Sequence, residues 1–203
     1  MHLFLVRHGK TDWNEQRRLM GRNDIGLNER GRAQAESAAV ALASVRLTRV
    51  LASPQPRAQE TARLVATRHG LEVETVPELA EVWLGPRWQG KTFADLRDDP
   101  DLKRYIDDAT HGCDALEAAA SVRERVSRAI DRLRAESDTG RIALVSHGDP
   151  LRILIADLIG VPLAHFRSLR VDTGSVSCLR LGKRTQLLLL NWQPDGPTAV
   201  AQT

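Results

Sequence analysis

Two stretches of the chain are apolar without interruption, and each closes on a histidine and a glycine. They are Leu3-Phe4-Leu5-Val6 before Arg7-His8-Gly9, and Ala143-Leu144-Val145 before Ser146-His147-Gly148. A continuous apolar run of this length predicts a central strand covered on both faces. Between and beyond these two, strand-like and helix-like patterns alternate. Asn28 opens an alanine-rich helix to about Ser44, Val50-Leu51-Ala52 is a short buried strand, and Pro56 fits the first turn of a helix carrying Arg57 to His69. Leu71 to Val76 alternates as an edge strand would. A looser stretch, Glu78 to Asp114, holds two short helical patches around Asp95 and Tyr105. Ala115 to Glu136 reads as a long helix, Ile142 to Ser146 as the second motif strand, and Leu151 to Ile159 as a buried helix. Val176 to Leu181 and Leu187 to Asn191 form a hairpin joined at Gly182-Lys183, and a frayed tail begins at Gly196. This rhythm predicts an α/β fold, a mostly parallel sheet between two helical layers.

A polar residue at the end of a buried strand lies where open α/β sheets bind ligands. Two histidines about 140 residues apart, each at such a strand end, can therefore share one crevice. Each is followed by what reads as the start of a helix, whose free N–H groups and dipole favour an anion. Arg7 beside His8 suits the same charge.

Composition narrows the classes. At 203 residues and 42% hydrophobic content, the chain can bury a full core as a single domain over residues 1–203. The net charge of +3 is modest and the basic excess is nearly all arginine, with lysine only at positions 10, 91, 103 and 183. No basic block interleaved with aromatics points to nucleic acid. Cys113 and Cys178 are too few and too scattered for a disulfide framework or a zinc motif. The N-terminal apolar run is too short for a signal peptide, and the Leu151–Val161 run is broken by Arg152 and Asp157, so no membrane span and a cytoplasmic location are expected.

The motifs carry a resemblance. Arg7-His8-Gly9-Lys10-Thr11-Asp12-Trp13-Asn14 resembles the R-H-G-x-T-x-x-N signature of the histidine phosphatase superfamily, the phosphoglycerate-mutase-like proteins. Gly21 to Ala35 is similar to the next block of that family, with Asn28 for the usual threonine, a swap that still caps a helix. Ser53-Pro54-Gln55-Pro56-Arg57-Ala58 resembles its S-P-x-x-R-A block, and Pro77 to Gly90 is similar to its L-x-E-x-x-x-G-x-W-x-G block, with one residue more between Gly85 and Trp88. The resemblance runs in order from Leu3 to about Leu181.

That resemblance implies a three-layer α/β/α sandwich with residues 78–114 as a lid-like insertion over the site. It implies a phosphoric monoester hydrolase of the histidine acid phosphatase type, working through a phosphohistidine on His8, with Arg7 and Arg57 gripping phosphate bidentately. His147 would donate to the phosphoryl oxygens, and Glu81 would protonate the leaving oxygen, its pKa raised by burial beside Trp83 or Trp88. Glu78, three residues away, competes for that role. Asn14 either reaches the phosphate or only caps a helix; Thr11 could add a hydroxyl, and Gly21 and Gly148 line the substrate. No cofactor and no metal are expected, because no His/Cys/carboxylate cluster has ligand spacing in the sequence. The expected partner is a small phosphorylated substrate, with a homodimer left open.

Two departures bear on substrate choice. Lys10 stands where the family commonly has glutamate, adding positive charge expected near the mouth. The usual P-x-G-E-S element is replaced by Cys113-Asp114-Ala115-Leu116-Glu117-Ala118, where only Glu117 matches. A mutase carries a basic, tyrosine-containing stretch after the acid to hold its bisphosphate intermediate; here Val82-Trp83-Leu84 is apolar, which favours a phosphatase. A cofactor-dependent mutase, a non-catalytic phospho-ligand module and a structural protein on the same fold are the alternatives.

Overall fold

The computed structural model describes residues 1–108, 110–136 and 140–194. Its centre is a six-stranded sheet: β1 (His2–Arg7), β2 (Arg49–Ala52), β3 (Val73–Thr75), β4 (Arg141–Ser146), β5 (Val176–Arg180) and β6 (Gln186–Trp192), in the order β3-β2-β4-β1-β5-β6. β3, β2, β4 and β1 run parallel, and β5 joins β1 antiparallel. The expected mostly parallel sheet is present, closed on one side by the β5–β6 hairpin.

Because side chains alternate across a strand, each apolar run feeds two cores. Leu3, Leu5, Ile142 and Leu144 face one layer, with α5 (Ala119–Ala135) and α6 (Gly148–Ile159). Val6, Ala143 and Val145 face the other, with α2 (Glu29–Leu42) and α3 (Pro56–Thr67). This is the three-layer sandwich. In α2 the buried positions Ala35, Ala38, Ala39 and Leu42 fall at helical spacing, and the Asn28 side chain accepts from the Gly31 amide at its start. Small residues there let α2 press against the loop after β1. A Cβ at Gly31 would stand 1.9 Å from the Lys10 carbonyl oxygen, and one at Gly9 2.1 Å from the Gly31 oxygen. These two glycines are required by backbone-on-backbone contact.

Several predicted boundaries differ. The long helix begins at Ala119 rather than Ala115, because Leu116 instead bridges to Leu84 and Cys113. Near Asp95 there is only a turn, in which its carboxylate accepts from the Thr92 amide and hydroxyl; the second patch is α4 (Pro100–Asp107). The segment after His8 yields a single helical turn, α1 (Asp12–Glu15). A 3-10 turn over Leu163–Ser168, not predicted, follows α6 and buries Phe166. The tail from Gly196 lies outside the described residues. No helix is long and apolar enough to cross a membrane among the described residues.

Candidate active site

β1 and β4 are neighbours in register, Arg7 opposite Ser146, so the next residue on each strand is a site histidine. The His8 and His147 rings lie 5.0 Å apart, edge to face. Both are buried. His8 Nδ1 lies 2.6 Å from the Gly9 carbonyl oxygen. A carbonyl can only accept, so Nδ1 carries the proton and Nε2 keeps its lone pair. Burial, then the Arg57 and Arg7 guanidiniums, push the His8 pKa well below 6.5, which keeps that lone pair free at neutral pH.

His147 caps α6, whose open N-terminus adds its dipole to the crevice. Its Nε2 lies 2.7 Å from Ser53 Oγ and 3.1 Å from Gln55 Oε1. Ser53 donates its own proton to Gln55 Oε1 at 2.6 Å, so Nε2–H is the donor and Nδ1 faces the site. Glu81 Oε2 is 3.7 Å from that Nδ1. The other Glu81 oxygen accepts from the Val82 amide. Burial raises the Glu81 pKa, against the opposing pull of Arg57. Glu78 instead pairs with Arg132, which lowers its pKa, and lies outside the cavity. Trp88 is buried in the cavity wall while Trp83 is 38% exposed, so the apolar neighbour of the site is Trp88.

Both arginines are held by carbonyl oxygens. Arg7 donates to Val171 O at 2.7 Å; Arg57 donates through one terminal nitrogen to Asn23 O at 2.9 Å and through the other to Gly21 O at 2.8 Å. Each terminal nitrogen of Arg57 thus gives one N–H to the backbone, while the Nε–H edge of the fork has no partner in the protein. Burial lowers its pKa to about 10. What remains is telling: Arg7 Nε, Arg57 Nε and His147 Nδ1 are buried without a hydrogen-bond partner. Orphaned buried nitrogens on three cationic or protonatable groups suit an anion that completes them.

The cavity, about 280 Å³, is lined by His8, Arg7, Asn14, Gly21, Glu81 and Gly148, among others. A Cβ at Gly148 would crowd the Arg7 guanidinium at 3.3 Å. Asn14 makes the helix-cap contact, its Oδ1 accepting from the Thr11 amide in a capping box, and it also lines the cavity. Thr11 corrects the expectation of a phosphate-facing hydroxyl, since that group is buried against Asn14 Oδ1 and Met20. Lys10, expected near the mouth, does not line the cavity. Its main-chain amide bonds Gln34 and its carbonyl Asn28, which ties the main chain there to α2.

The structure also corrects the absence of metal-ligand clusters read from linear spacing. Ligand atoms of His8, Glu81 and His147 lie within 4.8 Å of one another, as do those of Asp101, His111 and Cys113. Folding assembles what sequence spacing could not show.

A family model described as the histidine phosphatase superfamily (branch 1) matches residues 3–193. The chain belongs to that superfamily. An adenosylcobalamin/α-ribazole phosphatase of Escherichia coli is 34% identical over 200 residues, 97% of this chain and 98% of that one. A probable phosphoglycerate mutase of Erwinia tasmaniensis is 30% identical over 179 residues, 87% of this chain and 83% of that one. The crystal structure of the α-ribazole phosphatase from Shigella flexneri superposes with a TM-score of 0.88 at 33% identity, covering 98% of this chain and 100% of that one.

Two residues of this histidine phosphatase escape a motif reading. Gln55 Oε1 accepts from Ser53, from His147 and, at 3.2 Å, from the Glu81 amide, so one side chain positions both the second histidine and the acid. It stands at a free position of its motif, so nothing in the sequence marked it. Arg125, buried in α5, donates to the carbonyls of Glu78, Ala80 and Glu81 and pairs with Glu117. A single arginine on the apolar stripe of a long helix was the available signal.

Proposed function

We propose that the protein is a metal-independent phosphomonoesterase acting on small phosphorylated metabolites through a phosphohistidine on His8. The observation that carries this reading is the neutral His8 imidazole, its Nδ1 proton engaged by Gly9, set among the three unpartnered nitrogens of Arg7, Arg57 and His147. The phosphoryl group takes the place of an absent partner for each. His8 Nε2 attacks phosphorus and the ester P–O bond breaks. The proton held on Glu81 passes to the leaving alkoxide. Water then attacks the phosphohistidine, gives its proton back to Glu81 and releases inorganic phosphate with neutral His8. Arg7, Arg57 and His147, which takes up a proton from solvent as the dianion binds, neutralise the equatorial oxygens.

Support for metal independence comes from charge. Two guanidiniums beside His8 and His147 repel a cation from the His8–Glu81–His147 cluster, and they supply the neutralisation a metal would otherwise give. The relatives named as phosphatases, and the apolar Val82-Trp83-Leu84 stretch after Glu81, support release to water rather than the retained intermediate of a mutase.

Rapid quench with a labelled phosphomonoester in excess EDTA tests the reading. Label is expected on His8, with inorganic phosphate as the product, and His8→Ala should lose turnover while remaining folded by circular dichroism. Label on another residue, or activity restored only by added magnesium or zinc, would overturn it. Transfer of the label to phosphoglycerate instead of water would make the protein a mutase.

A further inference from the structure

We infer that the site is built for phosphomonoesters whose alcohol is apolar and planar, an arylalkyl group, and not for esters carrying a second acid or a polyol. This rests on the phosphomonoesterase reading and concerns the part of the cavity beyond the phosphate. There the walls are Leu19, Met20, Val82, Leu84, Phe93 and Leu116. Leu116 belongs to the segment that replaces the polar P-x-G-E-S element, and it reaches the wall through its bridge to Leu84. Apolar walls with few placed polar groups select by burial and shape.

The polar groups at the mouth are already committed to one another. Arg152 donates to Asp149 at 2.8 Å and to Leu169 O at 3.0 Å. Tyr105 donates its hydroxyl to the other Asp149 oxygen. Arg18 is held by Gln16 at 2.8 Å and Gly90 O at 2.7 Å. A carboxylate on the alcohol, as in phosphoserine or a phosphoglycerate, would meet the Asp149 carboxylate and a paired arginine. Lys10, a further cation expected there, is not among the residues that line the cavity.

Phe93 gives the apolar region its mouth. Its ring is 49% exposed, which is costly for a phenylalanine without a partner, and it lines both this cavity and an adjoining one of about 410 Å³. The two cavities also share Tyr105, whose ring is stacked by the Arg167 guanidinium at 3.8 Å. A flat apolar group leaving the phosphate subsite would lie between these two rings.

The test compares primary alkyl esters, so that leaving-group reactivity stays level. On the full-length protein in EDTA, kcat/KM for 2-phenylethyl phosphate should exceed that for glycerol 1-phosphate and for phosphoserine by at least roughly tenfold, the scale on which a hydrophobic pocket discriminates. Phe93→Ala, a surface change, should shrink that ratio by raising KM for the phenylethyl ester. Calorimetry should show 2-phenylethylphosphonate binding at least about tenfold more tightly than methylphosphonate. Equal rates across the three esters, a preference for phosphoserine, or a ratio unmoved by Phe93→Ala would overturn the inference. If no ester is turned over but the phosphonate preference holds, the pocket assignment stands and the hydrolytic reading falls. Absence of both would remove the inference itself.

Discussion

At the scale of single residues, the site works by pushing ionisable groups in opposite directions. Burial and two guanidiniums push the His8 pKa well down, while burial pushes the Glu81 pKa up. If Glu81 is the acid, Glu81→Gln should slow alkyl phosphates by roughly 10²–10⁴-fold. It should slow phosphoryl transfer from p-nitrophenyl phosphate far less, since that phenolate leaves without a proton. Rapid-quench bursts on both esters separate the cases; equal losses, or the same pattern at Glu78, would remove Glu81 from the role. The pH profile follows with its sign. Activity falls on the acid side only as His8 is protonated, well below its ordinary value, and on the alkaline side as Glu81 ionises above its ordinary value. The alkaline limb should vanish in Glu81→Gln. Gln55 adds a second check. Gln55→Glu would place a carboxylate against His147 Nε2, favour the charged imidazole, and move the kcat profile toward higher pH. An unmoved profile would reduce Gln55 to packing.

At the scale of elements, the loop carrying Glu81 has little regular structure of its own, only the 3-10 turn Pro77–Leu79 before it. It is held from outside. Ser146 of β4 donates to Leu79 O at 2.6 Å, Arg22 donates to Glu81 O at 3.0 Å, and Arg125 of α5 holds the carbonyls of Glu78, Ala80 and Glu81. Arg125→Met leaves Glu117 without its closest partner and frees those carbonyls. It should cost about 3–5 kcal/mol by denaturant unfolding, as removal of one member of a buried pair does, and should reduce kcat for alkyl esters more than for p-nitrophenyl phosphate. A stability loss without that leaving-group pattern would mean the clamp supports the fold but does not place the acid. The motif helices and strands were legible because each buries one periodic face. The Glu81 loop was legible only as a motif, since the arginines that hold it lie 44 to 47 residues away at Arg125 of α5 and 59 away at Arg22.

For the molecule as a whole, two buried neutral histidines tie stability to pH. In the unfolded chain both bind protons as pH falls through about 6.5; in the folded protein both resist until well below it. The unfolded state therefore takes up more protons below that value, and stability should drop as pH falls from about 7 toward 5. Thermal unfolding of the protein and of a His8→Asn/His147→Asn variant measures this, with a flatter pH dependence expected in the variant. Inorganic phosphate should offset the loss by binding the folded state alone. A variant as pH-sensitive as the parent would place the dependence elsewhere.

The alternation of apolar runs and helical stripes determined the α/β sandwich, because burying each run on both faces leaves few arrangements for a chain of this length. The strand-end motifs likewise marked His8, Arg7 and His147 as candidates, and the family resemblance added Arg57 and Glu81. Tertiary structure alone decided how each acts. The parallel pairing of β1 with β4 set the two rings side by side. Close packing of Gly9 on Gly31 tied the main chain at Lys10 to α2. Burial of Thr11 turned a hydroxyl expected at the phosphate toward a helix cap, and Arg57 was anchored to two carbonyls through one N–H of each terminal nitrogen. Gln55 and Arg125 act through contacts with residues far from them in sequence, and such contacts exist only once the layers have closed.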